Sequence, residues 1–237
     1  MSLRSRFFIA RGGRWLTLSI CLNLMFISLS AVYLVRRAQE RASYAANTRN
    51  YRESRKTLFD RLPAPPDDIY IVGNSLVDNC EWAELLSDPR IKNRGIGRET
   101  VSMLSDRIGV LAASQPAEIV LFYSINDLRA RADPQLVLDD YRRIVNIVKT
   151  ESPGTLVTIL AAIAPNRRLG CEGASAASVQ EFNNSLRILS REWRARFIDV
   201  NVLLADEDGS LHERYTYDGI HLNGLGYEIL GRALQGR

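Results

Sequence analysis

Two largely apolar runs that do not alternate limit this chain's fold most: EIVLFY at 118–123 and TLVTILAAIA at 155–164. A strand with one wetted face alternates apolar and polar residues, whereas a strand covered on both faces is mostly apolar. Both runs therefore read as central strands of a parallel sheet, over Ile119–Tyr123 and Leu156–Ala162. Shorter strand candidates are Ile69–Val72, Ile91–Arg94 and Phe197–Val200. Helical patterns lie between and after them, over Glu81–Leu86, Val101–Ala113, Pro134–Thr150, Ala174–Arg194 and Leu225–Leu234. Strand and helix in alternation predict an α/β fold with helices on both faces of the sheet. Residues 68–237 suffice to bury a core without disulfide or metal staples.

The residues before this pattern have a different character. Trp15–Val35 is 21 residues without a charge, flanked by Arg11, Arg14, Arg36 and Arg37. At about 1.5 Å per residue such a helix matches the hydrocarbon thickness of a bilayer, about 30 Å. It is expected to be a single-pass anchor; a cleaved signal peptide is the rival, but the apolar run continues past the small residues at 28–30. The arginines on the two sides nearly balance, so charge does not orient the segment. Four regions follow: a basic flank at 1–14, the anchor at 15–35, a helical stalk and Pro-rich linker at 36–66, and a folded α/β domain at 67–237. Tyr44, Tyr51 and Leu58 recur every seven residues on the stalk, a hint of a coiled-coil seam.

The formal charge of +4 hides an asymmetry. Residues 1–67 hold 12 Lys+Arg against 4 Asp+Glu, a balance of +8, which leaves −4 on residues 68–237. A nucleic-acid reader would carry its basic excess on the folded domain. Here the excess brackets an apolar segment, so a membrane surface is expected as a partner and nucleic acid is not.

In an open α/β sheet, ligands bind beyond the carboxyl ends of the strands. Four polar segments fall there: Gly73-Asn74-Ser75, NRGIGRET at 93–100, SINDL at 124–128, and YDGIHLN at 217–223. Ser75 offers a hydroxyl at a strand–helix turn and needs a base to act as a nucleophile. The chain has two histidines, and His221 follows Asp218 by three residues, so the carboxylate can orient the ring. Asn126 offers an amide donor, and Gly97-Arg98 offers backbone N–H groups; these suit a developing oxyanion.

These blocks resemble those of the SGNH hydrolases, also called the GDSL esterase/lipase family. The similarity covers residues 69–230, and YDGIHLNGLGY is its most specific part. The resemblance implies a three-layer α/β/α sandwich, flavodoxin-like, with no metal or cofactor. It also implies Ser75, Asp218 and His221 as a catalytic triad, with an oxyanion hole from Asn126 and the backbone of Ser75 and Arg98. Three departures stand out. Asn74 replaces the name-giving Asp, Ser124 replaces a glycine of the third block, and Arg98 replaces the second-block glycine. Arg enters positive φ less freely than Gly, which bears on the oxyanion hole. A standard α/β-hydrolase has the same order of triad residues, but Val77 occupies the place of its second elbow glycine.

The expected reaction is hydrolysis of a carboxylic ester on a small molecule, lipid or cell-surface glycan. An O-acyltransferase acting on polysaccharide and a non-catalytic binding module are the alternatives. Arg167 and Arg168, in the loop after the fourth strand, are candidates for gripping an anionic substrate. In the family fold Cys80 and Cys171 would come near each other, so the resemblance suggests a disulfide and a domain outside the cytoplasm.

Overall fold

A computed structural model describes residues 3–123, 125–129, 133–171 and 173–236. In chain order the elements are α1 (Leu3–Phe59), β1 (Ile69–Gly73), α2 (Ser75–Asp78), α3 (Trp82–Leu85), β2 (Ile91–Gly95), α4 (Val101–Leu104), α5 (Ile108–Ala113), β3 (Glu118–Phe122), α6 (Ile125–Arg129), α7 (Pro134–Glu151), β4 (Leu156–Leu160), α8 (Ala176–Glu192), β5 (Arg196–Ile198), α9 (Val200–Leu204) and α10 (Gly224–Gln235). The chain forms two compact units, residues 1–53 and 54–237.

In the first unit α1 carries the apolar stretch. Ile20, Leu24, Phe26, Ile27 and Leu34 are all exposed, unlike the side chains of a buried core helix. Among the described residues this is one helix long and apolar enough to cross a membrane. Tyr44 and Tyr51, two of the seam residues, are exposed as well.

The second unit is built on a five-stranded sheet in the order β2-β1-β3-β4-β5. All pairings are parallel, with Ile71 opposite Asn93 and Val120, and Val120 opposite Thr158. Successive side chains of a strand point to opposite faces. Tyr70, Val72, Ile119 and Leu121 accordingly join one core with α4, α5, α7 and α8. Ile71, Val120 and Phe122 join the other, with α2, α9 and α10. Both faces of the sheet are covered, as the largely apolar runs require.

The expected strand at 156–162 ends earlier, at Leu160. Past it the Asn183 amide takes over the ladder: its Oδ1 accepts from Ala162 N and its Nδ2 donates to Ala162 O, both at 2.8 Å. The expected single helix at 101–113 is broken into α4 and α5. Arg107 sits at the break with its side chain turned inward to the Glu99 carboxylate.

The register of β1 and β2 brings two strand ends onto α2. A Cβ on Gly73 would lie 2.2 Å from Phe122 O, and one on Gly95 would lie 2.4 Å from Asp78 N. Neither position has room for a side chain, and the obstacle at each is backbone. Gly95→Ala is therefore expected to lower stability by about 1–3 kcal/mol, the range for overpacking. Urea unfolding checks this, and an unchanged midpoint would contradict it.

Candidate active site

Ser75 opens α2 directly beyond β1. Asn74 caps that helix, its Oδ1 accepting from Leu76 N at 3.1 Å. An Asn performs this capping as well as an Asp does. Four residues cannot satisfy their own carbonyls, so other segments do it. Asn79 N–H donates to Ser75 O, Tyr227 Oη to Leu76 O at 3.0 Å, and Trp82 Nε1 to Val77 O at 2.9 Å. Asn93 Nδ2 reaches Val77 O, Asp78 O and Cys80 O, at 2.8, 3.3 and 3.0 Å.

His221 and Asp218 share the turn before α10. Thr216 Oγ1 accepts from Gly219 N–H at 2.9 Å and donates to His221 O at 2.6 Å. Gly219 has φ +86°, and a Cβ there would lie 2.7 Å from Asn166 O and 2.9 Å from Cys171 Sγ. Only glycine lets this turn close against the neighbouring loop. Asp218 Oδ1 accepts from Ile220 N and His221 N, and Oδ2 lies 2.7 Å from His221 Nδ1. Burial pushes the Asp218 carboxyl up, but the bonds from the His221 ring, the two N–H groups and the ring's charge outweigh it and leave the pKa lowered. The other ring nitrogen, Nε2, lies 2.9 Å from Ser75 Oγ. Three residues from the two ends of the domain thus form one hydrogen-bonded chain at the rim of the sheet. The Tyr217 ring, two-thirds exposed, stacks on His221 at 5.9 Å and 15°.

The segment after β2 lies beside Ser75. Ile96 N–H donates to Gly73 O at 2.9 Å, and Gly97 N–H to Asp78 Oδ2 at 2.9 Å. Arg98 is exposed and has φ +65°, the conformation that a glycine would take without strain. For an L-residue this costs about 1–2 kcal/mol. The surroundings hold it there: Glu99 is 1% exposed and accepts from Arg107 Nε, Arg107 Nη2 and Tyr123 Oη. Asn126, on α6, donates from Nδ2 to Glu99 O at 3.2 Å, which fixes its amide next to this segment. Ser124, the other glycine replacement, lies outside the described residues.

One expectation needs correction. Cys80 and Cys171 are free thiols, not a disulfide. Cys80 is buried in the core, where burial first and then Glu81 push its thiol up to about 12. Cys171 donates to Asn166 O at 3.0 Å. The inferred oxidising compartment loses its support with the bridge. Arg168, a largely exposed side chain, pairs with Asp206 and Asp208. Arg167 is exposed on the adjacent turn.

Sequence reasoning missed Asp78, Asn93, Glu99, Arg107 and Tyr227, which carry the site without touching the reacting groups. Among the described residues, no group of His, Cys, Asp and Glu has a metal-binding arrangement.

Residues 72–229 match the GDSL-like lipase/acylhydrolase family. The chain belongs to this family. It is 28% identical over 178 residues to the bovine (Bos taurus) platelet-activating factor acetylhydrolase IB subunit alpha1, covering 70% of this chain and 73% of the relative. Among solved structures, a platelet activating factor candidate from Streptococcus pneumoniae superposes with a TM-score of 0.76 at 21% identity, covering 84% of this chain and 98% of its own. An acetyl xylan esterase variant from Geobacillus stearothermophilus gives a TM-score of 0.56 at 16% identity, covering 73% and 94%. Both structures share the GDSL-type α/β/α fold described above.

Asp127, next to Asn126, is 5% exposed. Its Oδ1 accepts from Val101 N, while Oδ2 has no hydrogen-bond partner among the described residues. Burial, with lesser help from Asp140 and Glu99, pushes its pKa up to about 7. A raised folded-state value means that the protonated form stabilises the fold in full below the ordinary carboxyl range, near pH 4. That contribution is lost as pH rises through about 7. Asp127→Asn is thus expected to gain stability relative to the parent, by on the order of 1–4 kcal/mol, between pH 4.5 and pH 8. Urea titrations across that interval measure the difference, and a pH-independent gap would contradict it.

Proposed function

We propose that this protein is a serine ester hydrolase, anchored to a membrane by its N-terminal helix, which removes a small acyl group from a lipid or glycan. The observation that carries the reading is the 2.9 Å approach of Ser75 Oγ to His221 Nε2, with Asp218 2.7 Å from the opposite ring nitrogen. With Nδ1 donating to Asp218, Nε2 is free to accept the serine proton. Ser75 attacks the ester carbonyl, His221 takes its proton, and the imidazolium is stabilised by Asp218. His221 then protonates the departing alcohol. Water repeats the sequence on the acyl-enzyme and returns Ser75 to its starting state.

The negative charge on the carbonyl oxygen is held by the N–H groups of Ser75 and Arg98 and by Asn126 Nδ2. Such donors act mainly on the transition state. Arg98 supplies the same backbone N–H that a glycine would, and its positive φ supports that assignment. The acetylhydrolase and acetyl xylan esterase names of the relatives favour acetyl as the acyl group. Tyr217, exposed beside the His221 ring, forms a flat apolar wall for the ester. The exposed apolar face of α1 supports the membrane anchor.

Steady-state turnover of p-nitrophenyl esters of rising chain length tests the reading. Activity is expected to be highest with acetate and to vanish in Ser75→Ala and His221→Ala, with unfolding midpoints retained; full activity in Ser75→Ala would refute the assignment. Asn126→Ala is expected to lower kcat by about 10²–10³, the size of one oxyanion donor. An effect on KM alone would remove Asn126 from that role.

A further inference from the structure

Asp78 closes α2 three residues after Ser75, and its two carboxylate oxygens face different segments. Oδ2 accepts from Gly97 N–H at 2.9 Å, and Oδ1 pairs with Arg55 Nη2 at 3.1 Å. The same Nη2 donates to Gly95 O at 3.3 Å. Arg55 lies on the last turns of α1, within the compact unit that begins at Ser54. The pair is sheltered: its side chains are 24% and 10% exposed. Such a pair is screened less than one in open solvent.

The next turn of α1 grips the same segment from another direction. The Arg55 guanidinium sits 4.6 Å from the centroid of the Phe59 ring, and Arg94 and Arg107 approach that ring to 5.3 and 5.8 Å. Arg107 in turn holds the Glu99 carboxylate with two nitrogens. Gly95, Gly97 and Glu99, on both sides of the left-handed Arg98, are thereby tied to the end of α1.

We propose that Arg55 is a positioning residue, which acts through Asp78 to hold the Ile96–Arg98 segment, and with it the N–H groups beside Ser75, in working geometry. The proposal rests on the esterase reading above. A strained backbone conformation persists only where its surroundings over-determine it. Without the guanidinium, the Asp78 carboxylate turns toward water and Gly97 N–H loses a fixed acceptor. Since the affected donors serve a charge that develops only during reaction, the loss falls on kcat.

The test uses the full-length chain in detergent, with Arg55→Ala, Arg55→Lys, Asp78→Asn and the Arg55→Ala/Asp78→Asn double variant. Two quantities are read: kcat and KM on p-nitrophenyl acetate, and hydrogen exchange of the peptide spanning 95–101. Arg55→Ala is expected to lower kcat roughly 10- to 100-fold. KM is expected to stay within about threefold, because ground-state binding is untouched. Arg55→Lys, which keeps a cation facing Asp78, restores most of the rate. The double variant loses no more than the worse single one, as expected for residues acting in one chain. Amides of 96–98 exchange faster in Arg55→Ala. A kcat unchanged within about twofold, multiplicative losses in the double variant, or unaltered exchange at 96–98 would each overturn the proposal. If the parent protein turns over no ester, the esterase reading falls, and the exchange measurement alone decides whether Arg55 holds the segment.

Discussion

A helix of four residues has too few internal hydrogen bonds to persist by itself. The helix that begins at Ser75 persists because the carbonyls of Leu76, Val77 and Asp78 are taken by side chains from elsewhere, those of Tyr227, Trp82 and Asn93. Gly95 lets β2 approach its backbone without a side chain between them. The site depends on this packing. It fixes the direction of Ser75 Oγ, and through Asp78 it fixes the neighbouring Gly97. Tyr227 and His221 come from the same C-terminal block, so one stretch of chain both supports the serine helix and supplies the imidazole beside it.

The electrostatics are arranged around a cluster of buried, hydrogen-bonded polar groups. Glu99 accepts from Arg107 and Tyr123 next to the Ile96–Arg98 segment. A buried pair of this sort is costly to desolvate and adds little net stability, but removing one partner is severe. Its use here is conformational: the carbonyl of Glu99 receives the Asn126 amide, and its carboxylate keeps the residue next to the strained Arg98 in place. Asp127, a buried acid, has one oxygen without a hydrogen-bond partner among the described residues, as Arg107 has one such nitrogen, Nη1.

Much of the sheet was legible in the sequence, because strands covered on both faces are mostly apolar and do not alternate, as in 119–123 and 156–160. The pairing of Asp218 with His221 was also legible: they lie in one turn, and the chain has one other histidine. What could not be read was tertiary. The four-residue helix at Ser75 has no periodicity to detect, and its partners lie up to 151 residues away. The break at Arg107 follows from a buried ion pair rather than from a helix-breaking residue. The pairing of Arg168 with Asp206 and Asp208 was hidden because those acids lie some forty residues on. The cysteine pairing came from the family resemblance, and the core around Cys80 does not support it.

The central claim is that Ser75, and no other serine, is made nucleophilic by His221. Labelling the intact protein with a fluorophosphonate and locating the adduct by peptide mass spectrometry tests it most directly. One adduct is expected, on Ser75, and it disappears when His221 is replaced by Ala. No adduct, or an adduct on a different serine, would contradict it.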